Sequence, residues 1–269
     1  MSGSVIHSQS AVMVPAVYSA GQPASLPVAI DYPAALALRQ MSMVHDELPK
    51  YLLAPEVSAL LHYVPDLRRK MLLATLWNTG ARINEALALT RGDFSLAPPY
   101  PFVQLATLKQ RTEKAARTAG RTPAGQQTHR LVPLSDSWYV SQLQTMVATL
   151  KIPLERRNKR TGRTEKARIW EVTDRTVRTW IGEAVAAAAT DGVTFSVPVT
   201  PHTFRHSYAM HMLYAGIPLK VLQSLMGHKS ISSTEVYTKV FALDVAARHR
   251  VQFSMPESDA VTMLKNRHA

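Results

Sequence analysis

Six polar side chains spread along this chain have the chemistry needed to attack a phosphodiester without a metal: Arg82, Lys109, His202, Arg205, His228 and Tyr237. The two arginines carry planar guanidinium groups, which stay charged and donate paired hydrogen bonds. Such groups suit the non-bridging phosphate oxygens, where negative charge concentrates during the displacement. The tyrosine supplies a phenol, a weak nucleophile with a pKa of about 10 that cations and a base must activate.

The remaining members of this set offer proton transfer and further hydrogen bonds. His202 lies three residues before Arg205, which puts both on one helix face, and its neutral imidazole could accept the tyrosine proton or bond a phosphate oxygen. His228 follows Gly227, where backbone donors and the imidazole are expected to converge on an oxyanion. Lys109, with its pKa lowered by cationic neighbours, would act as a general acid toward a leaving 5′ oxygen.

Glu85 is a supporting residue, because it lies one helical turn beyond Arg82. It is expected either to orient the Arg82 guanidinium or to hydrogen-bond a neighbouring histidine. A metal site is the competing interpretation, since His202 and His206 have i,i+4 spacing. The general-base glutamate of a His-Glu-x-x-His motif is missing, however, and Arg205 would repel a cation. We therefore expect neither a metal nor a cofactor.

Composition favours a polyanionic partner. The 269 residues carry 31 Lys and Arg against 19 Asp and Glu, a net charge of +12, and a hydrophobic content of 46% that can supply a core. An apolar stretch over 12–38 is broken by four prolines and lacks the ~20 uninterrupted residues that span a bilayer. The chain has no cysteine, which excludes disulfides and thiolate chemistry. A cytoplasmic nucleic-acid protein is the simplest expectation.

The excess positive charge is concentrated in two stretches, 109–130 and 154–168, which hold six and seven basic residues against one and two acidic ones. Both stretches are poor in large apolar residues, so they are predicted to be loops. If they neutralise several phosphates, DNA affinity should depend steeply on salt. The candidate DNA-binding residues are Arg111, Lys114, Arg117, Arg156, Arg157, Lys159, Arg160 and Arg163.

The elements that position these residues are predicted to be mainly α with a small antiparallel β-sheet (α+β). Helices are expected over 55–63, 67–77, 138–150 and 172–189, and a β-hairpin over 102–108 and 129–134. In the last third, Thr200 and Pro201 start one helix, Pro218 starts another that stops at Gly227, and a final helix from Ser232 or Ser233 carries Tyr237 in its second turn. The expected divisions are a flexible or loosely helical leader (1–49, helical over 34–45), a catalytic domain (50–250) and a tail (251–269).

The order and spacing of these segments resemble the tyrosine recombinase, or phage integrase, family. Thr79–Glu85 resembles its first arginine box, and His202–His206 its His-x-x-Arg box. Leu225–His228 and Thr234–Tyr237 resemble the terminal box with its nucleophile. The resemblance covers residues 50–245 and implies a tyrosine recombinase catalytic domain.

In that family's reaction Tyr237 would form a 3′-phosphotyrosyl link and free a 5′ hydroxyl. Lys109 would be the proton donor, since it immediately follows the first strand as the family's lysine does, with Lys114 as the alternative. Arg82, Arg205, His202 and His228 would hold the phosphoryl group. The resemblance implies double-stranded DNA as substrate, a homo-tetramer in the synaptic complex and no need for ATP or Mg²⁺. Accessory DNA-binding proteins are possible partners, and no membrane is implied.

One departure from the family pattern leaves alternatives open. Members usually carry a helical core-binding domain before the first arginine box, which in this sequence is reduced or absent. The competing functions are a DNA-binding repressor or accessory protein on a recombinase scaffold, and a nicking-closing enzyme like type IB topoisomerases.

Overall fold

The computed structural model describes residues 32–44, 48–106, 129–228 and 230–249, together with Pro256, Ser258 and Met263. The helices of this part of the chain are α1 (Tyr32–Val44), α2 (Ala54–His62), α3 (Leu67–Thr79), α4 (Ile83–Leu87), α5 (Ser137–Thr149), α6 (Asp174–Thr190), α7 (Pro201–Tyr214), α8 (Leu219–Met226) and α9 (Ser232–His249). The strands are β1 (Phe94–Ser95), β2 (Phe102–Ala106), β3 (His129–Pro133), β4 (Glu155–Arg157) and β5 (Thr164–Lys166). The predicted fold class, mainly α with small antiparallel sheets, is confirmed.

The helix boundaries follow capping signals that are readable in the sequence. Thr200 caps α7, since its hydroxyl accepts a hydrogen bond from the backbone amide of Thr203 at 3.1 Å. At the other end of their helices, Gly80 (φ 59°) and Gly227 (φ 63°) adopt the left-handed conformation that closes α3 and α8. These three predicted boundaries are confirmed, and each lies beside a candidate catalytic residue.

The predicted β-hairpin is present, as part of a three-stranded antiparallel sheet in the order β1-β2-β3. Val103 pairs with Val132 at its centre, and both side chains are fully buried. The two-residue strand β1 was not predicted, because so short a segment has no alternating pattern. The tip of the hairpin lies outside the described residues, and so do four of the predicted site residues: Lys109, Arg111, Lys114 and Arg117.

The prediction that 154–168 is a loop was wrong, since β4 and β5 form an antiparallel hairpin there. Arg156 pairs with Glu165 and Glu155 with Lys166, so opposite charges face each other across the strands. The turn is closed by Asn158, whose side chain accepts hydrogen bonds from the amides of Arg160 and Thr161. Polar side chains on both faces hid these strands from a search for apolar alternation.

Helix α7 lies at the centre of the domain and packs against α3, α8 and α9. Ten of its fourteen residues are buried, among them Phe204, Ser207 and Met210. Ser207 accepts a hydrogen bond at 2.7 Å from the amide of Leu52, in the segment that leads into α2. Because α7 is held on several sides, the polar residues of its first turns are fixed relative to α3 and α9.

Part of the leader is docked as a helix. Within α1, Ala35 and Arg39 are buried, and Arg39 makes an ion pair with Glu56 and donates a hydrogen bond to Ser196 at 2.6 Å. Helix α1 also contacts α9. No helix in the described part of the chain is long and apolar enough to cross a membrane.

Replacing Gly80 with alanine should lower the free energy of unfolding by about 2–4 kcal/mol. A Cβ there would overlap the ring of Tyr208, and the positive φ of Gly80 disfavours any L side chain. The matched control is Gly182→Ala in α6, where a Cβ meets open space, and it should stabilise the protein by about 0.5–1 kcal/mol. Chemical denaturation measures both; a Gly80→Ala protein as stable as the control would contradict the packing described.

Candidate active site

Arg82 is positioned by the tight turn between α3 and α4. Its backbone amide donates to Glu85 Oε2 at 2.9 Å, and its guanidinium Nη1 donates to Glu85 Oε1 at the same distance. Glu85 therefore holds both the backbone and the side chain of Arg82, which is the first of its two predicted roles. The Arg82 side chain remains 45% exposed, so its guanidinium is accessible to a substrate.

A second arginine, Arg130 of β3, binds the other side of the same carboxylate. Its Nη2 lies 2.6 Å from Glu85 Oε2 and its Nη1 3.2 Å from Oε1, while its Nε donates to the Leu225 carbonyl at 2.8 Å. Burial alone would raise the pKa of Glu85, but hydrogen bonds and charge from Arg130 and hydrogen bonds from Arg82 lower it below its ordinary value. Sequence reasoning counted Arg130 only within a basic stretch. Arg130 could have been recognised from its place in β3, because it occupies an inward-facing position where an apolar residue is expected.

Arg205 is almost fully buried, with 3% of its surface exposed. It donates hydrogen bonds to the carbonyls of Gly80 and Met226, the latter at 2.6 Å, and so joins the C-terminal ends of α3 and α8. Desolvation, followed by the charge of Arg82, lowers the pKa of Arg205 to about 10. The guanidinium groups of Arg82 and Arg205 are thus close enough to repel each other. An anion bound between them would reduce this repulsion.

Two of the predicted histidines lie near these arginines. His202 is exposed on the first turn of α7; burial of its ring and then the charges of Arg205 and Arg82 lower its pKa. The same effects lower the pKa of His228 to about 4, and its Nδ1 lies 2.8 Å from the Thr234 hydroxyl. Both imidazoles are therefore neutral at pH 7.

The expected convergence of backbone donors at His228 is wrong. The amides of Gly227 and His228 donate to the carbonyls of Ser224 and Gln223 in the C-terminal cap of α8. A helix C-terminus presents carbonyl groups rather than free amides, so among the described groups of Gly227 and His228 it is the His228 side chain that can face an anion.

Tyr237 lies in the second turn of α9, as predicted, with only 2% of its surface exposed. Burial raises the pKa of Tyr237 to about 12, against the opposing charges of Arg205 and Arg82. Its ring is nearly parallel to that of His228, at 8° and 6.5 Å between centroids. The phenol is therefore protonated at pH 7 and lies within the field of both arginines.

The hydroxyl of Tyr237 has a partner that sequence reasoning did not assign. His206 Nδ1 lies 2.9 Å from it, and the two rings are 5.6 Å apart. From the sequence, His206 belongs to the segment that resembles the His-x-x-Arg box, but its side chain was considered only as half of a rejected metal pair with His202. The sequence does place His206 near the other candidates, since it lies one helical turn after His202 and directly after Arg205.

Five of the six predicted catalytic residues thus come together at the junction of α4, α7, α8 and α9, with Glu85 behind them. Lys109 lies outside the described residues. An open cleft of ≈ 390 Å³ is lined by His202, His206, Lys50 and Val236. No group of three or more potential metal-binding side chains occurs among the residues that the structure describes.

The basic candidates on the β4–β5 hairpin differ in their surroundings. Arg156 makes ion pairs with Glu165 at 2.7 Å and with Glu171, so its charge is largely compensated within the protein. The other four candidates on the hairpin are exposed to solvent: Arg157, Lys159, Arg160 and Arg163.

Replacing Glu85 with glutamine should lower the free energy of unfolding by about 3 kcal/mol at pH 7, because Arg82 and Arg130 then lack a counter-charge at a buried position. The pKa of Glu85 is lower in the folded protein than in the unfolded chain. The contribution of Glu85 to stability is therefore complete above the ordinary carboxyl pKa, and it is lost as the pH falls through the folded pKa. The difference from wild type should therefore shrink in acid. Urea titrations at several pH values measure it.

The control for this substitution is Glu183→Gln, which removes an exposed ion pair with Arg69 and should change stability little. A loss as large as that of Glu85→Gln, or a loss that does not change with pH, would contradict the special role of the buried carboxylate.

Comparison with known proteins identifies the family. The phage integrase family matches residues 50–243. A protein named "Resolvase" from Escherichia coli (strain K12) is 97% identical over 265 residues, which cover 98% of this chain and 99% of that protein. "Tyrosine recombinase XerD" of Mycobacterium leprae is 34% identical over 202 residues, 72% of this chain and 57% of that protein.

The same fold occurs in the solved structure of the XerH site-specific recombinase bound to palindromic difH substrate, a post-cleavage complex, with a TM-score of 0.53 and 19% sequence identity. The match covers 76% of this chain and 53% of that chain, so this chain spans about half the length of XerH. The XerH likeness shows the fold; the sequence matches over most of the chain show that it belongs to the phage integrase family and is a tyrosine site-specific recombinase.

Proposed function

We propose that this protein cuts and rejoins double-stranded DNA through a 3′-phosphotyrosyl intermediate at Tyr237, and that its role is to resolve plasmid multimers. The observation that supports this most strongly is a buried phenol within the field of two arginines, Arg82 and Arg205. The name of the nearly identical E. coli relative supports the resolving outcome.

In the proposed step, the scissile phosphate binds between Arg82 and Arg205, where two fixed positive charges are only partly balanced by Glu85. The neutral imidazoles of His202 and His228 donate hydrogen bonds to phosphate oxygens. The Tyr237 oxygen then forms a bond to phosphorus while the bond from phosphorus to the 5′ oxygen breaks. Lys109 gives its proton to that oxygen.

Rejoining is the reverse displacement, in which a 5′ hydroxyl attacks the phosphotyrosine. The covalent link keeps the energy of the broken phosphodiester, so the cycle needs neither ATP nor a metal ion.

The exposed basic residues of the β4–β5 hairpin, together with Arg111, Lys114 and Arg117, bind the phosphate backbone in this proposal. The structure of XerH, which has the same fold and is bound to its difH substrate, supports DNA as the partner in this proposal. Strand exchange takes place in a homo-tetramer, with α9 beyond Tyr237 docking on a neighbouring subunit and with accessory DNA-binding proteins as possible partners. The catalytic domain is 50–250, between the leader (1–49) and the tail (251–269), and the protein acts in the cytoplasm.

Tyr237→Phe should abolish the covalent adduct with a nicked suicide substrate, because the substitution removes only the nucleophilic oxygen. DNA affinity should stay within about threefold of wild type, since the phosphate contacts are retained. Denaturing gels and mass spectrometry of the trapped complex measure the adduct. Tyr63→Phe, which removes a hydroxyl bonded to Asp191 at the surface, is the control and should react normally. An adduct in Tyr237→Phe, or one mapped to another residue, would refute the proposal.

Replacing Arg157, Arg160 and Arg163 together by glutamine should weaken DNA binding roughly tenfold or more and reduce the slope of log K against log salt by about 3. Each exposed guanidinium that contacts a phosphate releases about one counterion. A charge-matched control replaces Lys151, Arg175 and Lys220, which are exposed on other elements. Binding titrations at several salt concentrations measure the slope; an equal change in both triple variants would exclude a special role for the hairpin.

A further inference from the structure

The hydroxyl of Tyr237 has to lose a proton when it attacks, and the structure assigns the acceptor. We propose that His206 is a catalytic residue that takes the Tyr237 proton on Nδ1 during cleavage and returns it during rejoining. This inference rests on the proposed function, in which Tyr237 is the nucleophile.

Geometry is the first support for this role. The distance of 2.9 Å from His206 Nδ1 to the Tyr237 oxygen lies within the range for direct proton transfer. Both side chains are held by the fold, since His206 projects from the central helix α7 and Tyr237 is 2% exposed on α9. The contact is thus present before any substrate binds.

The other two histidines of the site are less suited to accept this proton. His228 Nδ1 is 2.8 Å from the Thr234 hydroxyl, and its ring is stacked parallel to the phenol rather than directed at the oxygen. His202 packs edge-on against His206, with ring centroids 4.4 Å apart. Among the described residues, the hydrogen-bond partner of the Tyr237 hydroxyl is His206.

Charge around His206 links proton acceptance to substrate binding. Desolvation, followed by the neighbouring His202, Arg205 and His228, lowers the pKa of His206 to about 4. The ring is therefore neutral, and with the proton on Nε2 its Nδ1 is free to accept. A phosphate bound at Arg205 offsets the positive charge that opposes protonation, so the imidazole becomes a better base when DNA is in place.

The proposed step balances in both directions. During cleavage the Tyr237 oxygen bonds to phosphorus, its proton moves to His206 Nδ1, and the departing 5′ oxygen takes a proton from Lys109. During rejoining the 5′ hydroxyl gives its proton back to the neutral Lys109 amine as its oxygen bonds to phosphorus. The bond from phosphorus to the tyrosine oxygen breaks, and the His206 imidazolium returns its proton to that oxygen. A weakly basic imidazole favours this return.

The test compares single-turnover adduct formation on a nicked suicide substrate by wild type, His206→Ala and His206→Asn. Both variants should react about 10²-fold more slowly or worse, the usual contribution of a general base. Asparagine can hydrogen-bond the phenol but cannot take its proton, so a wild-type rate in His206→Asn would overturn the proposal in favour of mere positioning. The control is His211→Asn on the same helix, which packs against Trp77 at 4.9 Å and should react normally.

A second arm replaces Tyr237 with a fluorinated tyrosine, whose more acidic phenol depends less on a base. With this residue the rate of adduct formation by His206→Asn should fall by less than about tenfold. An unchanged loss of rate would mean that His206 positions the phenol and does not take its proton. Thermal melts and DNA binding show whether each variant is folded. No adduct with wild type would refute the proposed function and this inference with it, whereas a normal adduct with His206→Ala would refute this inference alone.

Discussion

The carboxylate of Glu85, buried between two guanidinium groups, is the interaction on which the site depends. A buried ionised carboxylate is costly unless it is fully paired, and here both oxygens are bound by Arg82 and Arg130. These contacts hold three elements together. Glu85 lies in α4, and Arg130, which belongs to β3, also donates to the Leu225 carbonyl in α8. A single anion thus sets the direction of Arg82 and ties the sheet to the helix that precedes His228.

Arg205 provides a second connection of the same kind. By donating to the carbonyls of Gly80 and Met226, it uses the free acceptors at two helix C-termini, where a positive charge is favoured by the helix dipoles. Gly80 and Gly227 close these helix ends in the left-handed conformation, and a Cβ there would overlap Tyr208 and Arg130 respectively. The Arg205 guanidinium is therefore held in place before any DNA binds. The two carbonyls neutralise its charge only in part, so it can still attract a phosphate.

Burial has the opposite effect on Tyr237, the proposed nucleophile, because it disfavours the charged form of the phenol. Tyr237 is packed among neutral histidines, where desolvation keeps the phenol protonated and opposes the arginines. The site without substrate therefore holds a protonated phenol beside two guanidinium groups. In the proposed mechanism this difference makes cleavage depend on a bound phosphate, which changes the charge around His206 and Tyr237 together.

Local signals made a large part of the fold predictable. The caps at Thr200 and Gly227 act within one helical turn, so their residues specify where α7 and α8 begin and end. The segments of β2 and β3 were predictable as β-rich runs on either side of a polar stretch, although only their burial alternates with period two: in β3 Arg130 faces inward and Leu131 outward. The β4–β5 hairpin escaped prediction because its strands carry polar side chains on both faces, and its cross-strand ion pair joins Arg156 and Glu165, nine residues apart.

The sequence by itself determined which chemical groups are present and in what order: two arginines, two histidines and a tyrosine in boxes whose spacing indicates the family. Only the tertiary structure decided how these groups are connected. Arg130 and His206 act through contacts with residues 45 and 31 positions away, and no local pattern encodes such distances. Whether a histidine is neutral or a carboxylate ionised depends on burial and on charges brought from other helices, and those exist only once the chain has folded.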